Sequence, residues 1–253
     1  ALGQKTPIAA ALAAAFWPGP LTLILHRNDD CPVAMLTTAG LSKLGIRVPA
    51  HRSAQTLLQA FGKPIAAPSA NPSGRISPST ATHVLDGLEG RLDLVLDGGP
   101  CESGLESTII DCTGDIARLL RPGGITRDAL AAALATANCN PQIDMAEPLA
   151  DSENPVAPGQ LASHYAPNAP VRLMANTSAA DEELIGFGAV SGAGKLALNL
   201  SPSADLVEAA ANLFSMLHAV DTADIAKIAI APIPDIGLGE AINDRLRRAA
   251  APR

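Results

Sequence analysis

Aromatic side chains are scarce in this 253-residue chain: four Phe, one Trp and one Tyr, or 2% of the whole. Any core must be built from Ala, Leu, Ile and Val, and base-stacking platforms of the kind that hold single-stranded nucleic acid have little material. Cysteine is sparse too. Cys31, Cys101, Cys112 and Cys139 are scattered with no C-x-x-C pair, which argues against a zinc ribbon, a dithiol redox motif or a disulfide framework and favours reduced thiols and a cytoplasmic setting. Positive charge is in deficit: the net charge of −7 gives no global attraction to nucleic acid. Arg245, Arg247 and Arg248 do cluster near the C-terminus; they read first as a solvated last helical turn favoured by the helix dipole, with a local basic patch as the second reading. No apolar run reaches the length of a membrane span.

The 47% apolar and 17% charged content belongs to a globular protein, and the length accommodates one large domain or two modest ones. "PIAAALAAAFW" has the look of a signal-peptide core but lacks a clustered basic n-region and a persuasive cleavage site; it reads as a helix over 7–15, stopped by "WPGP". "LTLILHR" and "LGIRV" predict strands, "RSAQTLLQAF" a helix ending at Gly62, "PIAAP" a short strand, and "STATHVLDGL" a helix with a Ser or Thr cap. "LDLVLDGG", "STIIDC" and "ARLLR" are further strand candidates, followed by a helix over 126–135 capped by Thr126. Residues 136–170, rich in Pro, Asn, Ala and acids, read as a linker. Beyond it, "VRLM", "LIGFGAV", "KLALNL" and "KIAIAPI" predict strands alternating with helices over 205–219 and 239–250, a small parallel α/β domain.

Several polar stretches stand out. "PIAAPSANPSGRISPST" passes from apolar residues into a loop in which Ser69, Asn71, Ser73 and Ser77 offer hydroxyls and an amide while Pro68, Pro72 and Pro78 stiffen the backbone. A ligand-binding loop and a bare surface turn with a helix cap are even readings on these residues alone. Arg121 ends an apolar strand before "PGG", suited either to forking onto a phosphate or carboxylate or to a structural salt bridge. Arg47, between Ile46 and Val48, is expected to be a buried cation that requires an anionic partner. "SGAGK" fails as a P-loop, with Ala189 at the first glycine position and Leu196 in place of Ser or Thr. No G-x-S-x-G elbow supports a hydrolase triad. His164 and Tyr165 punctuate the linker, either anchoring it to a domain surface or forming a flap over a site.

"FWPGPLTLIL", "GIRVPAH", "PIAAPSANPSG", "ESTIID", "LLRPGGIT", "PGQLASHYAP" and "GLGEAINDRLRRA" occur in this order, and together they resemble the two-domain threonylcarbamoyl-AMP synthases over nearly the whole chain. The resemblance implies an α/β fold: a YrdC-like twisted mixed sheet with helices over 1–135, a linker over 136–170, and a small Rossmann-like parallel α/β domain over 171–253. It implies synthesis of L-threonylcarbamoyladenylate from L-threonine, bicarbonate and ATP, with pyrophosphate released, Mg2+ carried on the nucleotide, and delivery to the tRNA threonylcarbamoyl transferase machinery, with a tRNA contact and no membrane. Carried over by motif, Ser69, Asn71, Ser77, Arg121 and Tyr165 would bind ATP; Arg47, Ala67 and Ser107 would bind threonine. Lys43 stands where the family often has Thr at an ATP-associated position, so its nucleotide role is an expectation of a different kind. The family's N-terminal K-x-R segment is not matched, and "ALGQKTPIAAALAAAFWPGP" resembles a helix that should come after it, so the chain is expected to be truncated and impaired. A carbamoyl-transferring YrdC-like enzyme and a non-catalytic RNA-binding module are the alternatives; the "GLGEAINDRLRRA" segment and the missing zinc-finger cysteines speak against the first, the acidic charge against the second.

Overall fold

The computed structural model describes residues 2–146, 163–223 and 225–252. Two compact units divide the chain: Ala1–Pro68 with Glu106–Gln160, and Ser69–Leu105 with Leu161–Arg253. The sequence-based division at 135 and 170 runs differently, because the segment Ser69–Leu105 packs with the second unit.

In the first unit Thr6 starts α1 (Pro7–Phe16), its Oγ1 accepting from the Ala9 N–H at 3.1 Å, while Pro7 sits where a missing N–H is harmless. Strand β1 (Leu21–His26) then pairs antiparallel with β2 (Lys43–Arg47), and α2 (Arg52–Phe61) ends at Gly62, whose φ of 69° is the left-handed cap. After α3 (Ala81–Leu88), which belongs to the second unit, come β3 (Thr108–Asp111), β4 (Ala117–Arg121), α4 (Arg127–Thr136) and β5 (Ile143–Met145). The sheet order is β2-β1-β3-β4-β5, with β1/β3 and β4/β5 parallel and the other pairs antiparallel. Period-2 alternation sends Leu21, Leu23 and Leu25 to one face, where Ile8 and Leu12 of α1 and Leu130 and Leu134 of α4 cover them. The opposite face carries a smaller cluster of Ile24, Ile109 and Leu120.

The second unit is built on a parallel sheet of β6 (Val171–Arg172), β7 (Glu182–Ile185) and β8 (Lys227–Ile230), in the order β6-β8-β7. Helix α5 (Leu206–Thr222), capped by Asp205, buries Ala209, Ala210, Leu213, Phe214, Leu217 and Val220, and α6 (Leu238–Ala249) joins the same core. Ile76, Leu105 and Tyr165 are also members of that core, which is why the Ser69–Leu105 segment belongs here.

Four sequence readings need correction. "PIAAP" and "LDLVLDGG" are irregular, with Ile65, Leu94 and Leu96 exposed, because a strand exists only through pairing and neither stretch joins a sheet among the described residues. "KLALNL" makes only an isolated parallel bridge, Asn199 with Gly186, and at Leu196 and Ala197 the N–H groups donate to the buried Glu183 carboxylate at 2.9 and 2.7 Å in place of a ladder. Conversely, β5 lies inside the stretch read as linker; residues 147–162 of that stretch fall outside the described residues. The glycines of "SGAGK" also acquire a structural reason, since a Cβ on Gly194 would come within 2.4 Å of Glu183 Oε2 and one on Gly192 within 2.0 Å of the Leu198 carbonyl. Removing the carboxylate in Glu183→Ala should strand two inward-facing N–H groups and lower stability by about 2 kcal/mol, read as a shifted urea midpoint.

Candidate functional site

Because β2 and β4 run against β1 and β3, the C-terminal ends of the first pair and the N-terminal ends of the second meet at one end of the first unit's sheet. Four of the quoted motifs converge there. The "PGP" turn before β1 is tied to the end of β2 by Gly19 N–H donating to the Val48 carbonyl at 2.8 Å and by Arg47 Nε donating to the Gly19 carbonyl at 3.1 Å. The start of β3 is tied to the same turn by Thr108 N–H donating to the Pro20 carbonyl at 3.0 Å. The "RPGG" turn after β4 closes over the start of β3: Gly124 N–H donates to the Glu106 carbonyl at 3.1 Å, and Thr108 Oγ1 both donates to the Ile125 carbonyl and accepts from its N–H. A Cβ on Gly123 would lie 2.4 Å from the Glu106 carbonyl and 2.5 Å from the Thr108 nitrogen, so only glycine allows this approach.

Side chains follow the same geometry. Arg121 is buried and its Nε and Nη2 both donate to the Ser107 carbonyl, at 3.2 and 2.8 Å, with Nη2 also 3.3 Å from Ser107 Oγ. Ser107 Oγ lies 2.8 Å from Thr22 Oγ1, and Thr22 is the register partner of Arg47 across the β1/β2 ladder. Arg47, Ser107 and Arg121 are thus brought to one polar sheet end, with Thr22 between them. Thr22 was not singled out from sequence; its signal was a hydroxyl inside the apolar run "LTLIL". The expectation of a buried Arg47 is corrected: β2 is an edge strand and Arg47 is exposed at its end, so its charge carries no burial penalty. Ala67 is exposed in the irregular stretch that precedes the second unit.

Lys43 is not part of that grouping. It starts β2, about 13 Å along the strand from Arg47 at the usual rise per residue, and its Nζ lies 2.7 Å from Asp111 Oδ2. Burial of Asp111 opposes ionisation, but hydrogen bonds from Lys43 and Thr113 and the nearby Lys43 charge outweigh it and hold the carboxyl below its ordinary range.

In the second unit the "SANPSGRIS" loop is rigid by construction. Asn71 Nδ2 donates to the Pro72 and Arg75 carbonyls at 3.0 and 3.1 Å, while its Oδ1 is buried without a hydrogen-bond partner. Ser69 is exposed and Ser77 is buried. The loop and the "HYAPN" segment are stitched together: Ala166 N–H donates to the Gly74 carbonyl at 3.0 Å, Arg75 and Ala166 form a parallel bridge, and the Arg75 guanidinium bonds Asn168 Oδ1. Tyr165, with φ of 61°, is buried with its ring 5.5 Å from that of Phe214 and under the Arg245 guanidinium at 5.3 Å. Of the nucleotide candidates, Ser69, Asn71, Ser77 and Tyr165 therefore belong to the second unit and Arg121 to the first. Arg245, first read as part of a solvated turn, is fully buried; Arg247 is exposed.

Two consequences can be measured. Gly123→Ala should destabilise the chain by roughly 2 kcal/mol or more, because backbone on both sides of the new methyl has to move, and a urea titration reads it directly. Lys43→Met should cost only about 0.5–1 kcal/mol, since the pair is partly solvated. Because the Asp111 carboxyl is held low, the stabilisation by the Lys43–Asp111 pair is present above the ordinary carboxylate range and lost as pH falls through the lowered value. Lys43→Met should flatten that acid limb.

Comparison with known proteins matches both halves of the chain. Residues 2–123 match a family described as "Telomere recombination" (Sua5_yciO_yrdC), and residues 125–251 match the threonylcarbamoyl-AMP synthase C-terminal domain. Threonylcarbamoyl-AMP synthase of Bacillus subtilis is 38% identical over 99% of this chain and 75% of its own length, and that of Pyrococcus abyssi 35% identical over 97% and 74%. The crystal structure of P. abyssi Sua5 complexed with L-threonine superposes with a TM-score of 0.84 at 32% identity, covering 98% of this chain and 76% of that one. A His→Ala/Tyr→Ala double variant of the same protein gives a TM-score of 0.81 over 98% and 74%. With both halves matched in order and nearly the whole length aligned, the chain belongs to the threonylcarbamoyl-AMP synthase family.

Proposed function

We propose that this protein makes L-threonylcarbamoyladenylate from L-threonine, bicarbonate and ATP, for threonylcarbamoyladenosine modification of tRNA. The observation that carries the reading is the convergence of Arg47, Ser107 and Arg121 at one sheet end through motifs of this family, one of whose members was crystallised with L-threonine. The threonine amine and bicarbonate condense to a carbamate with loss of water. A carbamate oxygen then attacks the α-phosphorus of ATP and pyrophosphate departs. Such a displacement depends on positioning and on neutralising charge more than on a covalent enzyme intermediate.

In this reading the exposed guanidinium of Arg47 takes the threonine carboxylate, an interaction suited to its planar fork. Ser107 and the backbone at Ala67 complete the amino-acid pocket. Ser69, Asn71, Ser77, Arg121 and Tyr165 take the nucleotide, and the buried, unpartnered Asn71 Oδ1 supports a donor arriving from a ligand. Lys43, engaged by Asp111, is left out of the assignment. Mg2+ would enter on the phosphates, with nucleotide oxygens and water as its ligands and the effect of offsetting negative charge; no group of three His, Cys, Asp or Glu side chains gathers among the described residues, so the protein's share of the coordination would be small. Among the described residues no helix is long and apolar enough to cross a membrane. We place the protein in the cytoplasm, beside the transferase machinery that consumes its product and in reach of a tRNA contact.

The test is pyrophosphate release measured with each substrate omitted in turn, together with calorimetric titration of L-threonine into the chain with ATP present. Release that requires both threonine and bicarbonate is expected, and release indifferent to threonine overturns the reading. Binding separates the site assignment from turnover. Arg47→Gln should weaken threonine roughly tenfold or more, the scale of a charged hydrogen bond.

A further inference from the structure

Two histidines far apart in sequence meet on the segment that carries Ser77. His83 of α3 and His218 of α5 stack with ring centroids 3.8 Å apart and planes inclined by 20°. His218 Nε2 lies 3.1 Å from the Ser77 carbonyl, and can only be the donor there. On the other side His83 Nδ1 lies 3.3 Å from both the Ser79 N–H and Ser79 Oγ, so it accepts from the backbone and is the unprotonated nitrogen of a neutral ring. Thr80, the cap of α3, closes the same stretch through the His83 N–H at 3.2 Å. The Ser77 carbonyl and the Ser79 N–H are thus both bonded to imidazole nitrogens of a single stacked pair, while the Ser79 carbonyl accepts from the Cys101 N–H at 2.8 Å.

We infer that His83 and His218 are positioning residues for the Ser77 segment, holding it in the nucleotide-competent conformation only while the His83 ring is neutral. Protonating His83 at Nδ1 sets a donor against the Ser79 N–H and removes that acceptor. Protonating both rings puts two cations face to face. Burial disfavours the charged form of each ring, and for His218 the neighbouring His83 adds to that; Asp86 on α3 and Asp221 on α5 are the charges that work the other way. The Ser77–Ser79 loop itself brings only hydroxyl and backbone groups to the pair. Asp221 is held in turn by the Asn168 N–H and side-chain amide, and so by the "HYAPN" segment that bridges to Gly74 and Arg75. With both ring pKa values lowered by folding, the unfolded chain takes up protons first as pH falls. The arrangement is intact above the ordinary histidine range and weakens as pH drops through it toward the lowered values.

This inference rests on the reading that Ser77 belongs to the nucleotide site, so two measurements are paired. ATP affinity of the full chain is measured calorimetrically at pH 7.5 and 5.5 for the wild type and for H83N/H218Q, which keeps an amide oxygen as acceptor for the Ser79 N–H and an amide donor for the Ser77 carbonyl but cannot titrate. ATP's own protonation is common to both proteins. The wild type should lose about tenfold more affinity than the double variant across that range, one pKa unit of differential interaction being a factor of ten; equal losses overturn the inference. Hydrogen exchange of the segment 77–80 at the same two pH values needs no nucleotide. Protection lost at pH 5.5 in the wild type and kept in the double variant supports the histidine pair even if ATP does not bind, a result that would instead remove Ser77 from the nucleotide site. Protection unchanged in the wild type overturns the pair's role whatever ATP does. Single H218Q should restore the pH 7.5 behaviour that H218A loses, which separates the Ser77 hydrogen bond from simple packing.

Discussion

The approach of the "RPGG" turn to the Glu106–Thr108 backbone is the constraint on which the first unit's polar end depends. Backbone can come this close only where no Cβ intervenes, and Gly123 supplies the gap. Once the turn is seated, Gly124 and Ile125 complete the hydrogen bonds of Glu106 and Thr108, and Arg121 is drawn over the Ser107 carbonyl. Thr108 in turn holds Pro20, and the Gly19 turn holds Val48 and Arg47. A cation at the end of an edge strand and a hydroxyl at the start of a central one are thereby set at the same sheet end by hydrogen bonds that each engage the backbone.

The second unit solves a different problem. A loop rich in Ser, Pro and Asn has no ladder of its own, yet it must not wander if it is to meet a ligand. Its own Asn71 closes it internally, Ala166 and Asn168 pin it from the "HYAPN" side, and His218 and His83 pin it from two helices. The apolar partners are Ile76, which enters the core with Leu105 and Tyr165, and the aromatic pair Tyr165–Phe214 beneath Arg245. Conformational order is imposed on the loop from outside, at contacts separated from it by up to 141 residues.

Local signals were legible wherever the chain carries its own punctuation. Thr6, Thr80, Thr126 and Asp205 cap helices in the way their side chains dictate, Gly62 ends α2, and the alternation of Leu21, Leu23 and Leu25 marks β1. "LDLVLDGG" and "KLALNL" carry comparable alternation and are not strands: among the described residues the first joins no sheet and the second makes only an isolated bridge to Gly186, because pairing is a property of the neighbour and not of the segment. The site candidates divide in the same way. Asn71, Ser107 and Arg121 were visible as residue types in suggestive motifs; Thr22 is marked only as a hydroxyl within an apolar run, whereas His83 and His218 carry no local mark and gain their roles only through partners far along the chain.

By itself, then, the sequence determined the helix caps, the strand faces, the ordered motifs and through them the family. Those depend on residue types and short spacings, which the chain carries wherever it goes. Only the tertiary structure decided that Arg47 is exposed and Arg245 buried, that Lys43 is engaged by Asp111, and that two distant histidines stack over the Ser77 carbonyl. Burial and protonation are set by whatever packs against a group, and here those neighbours come from other elements of the fold.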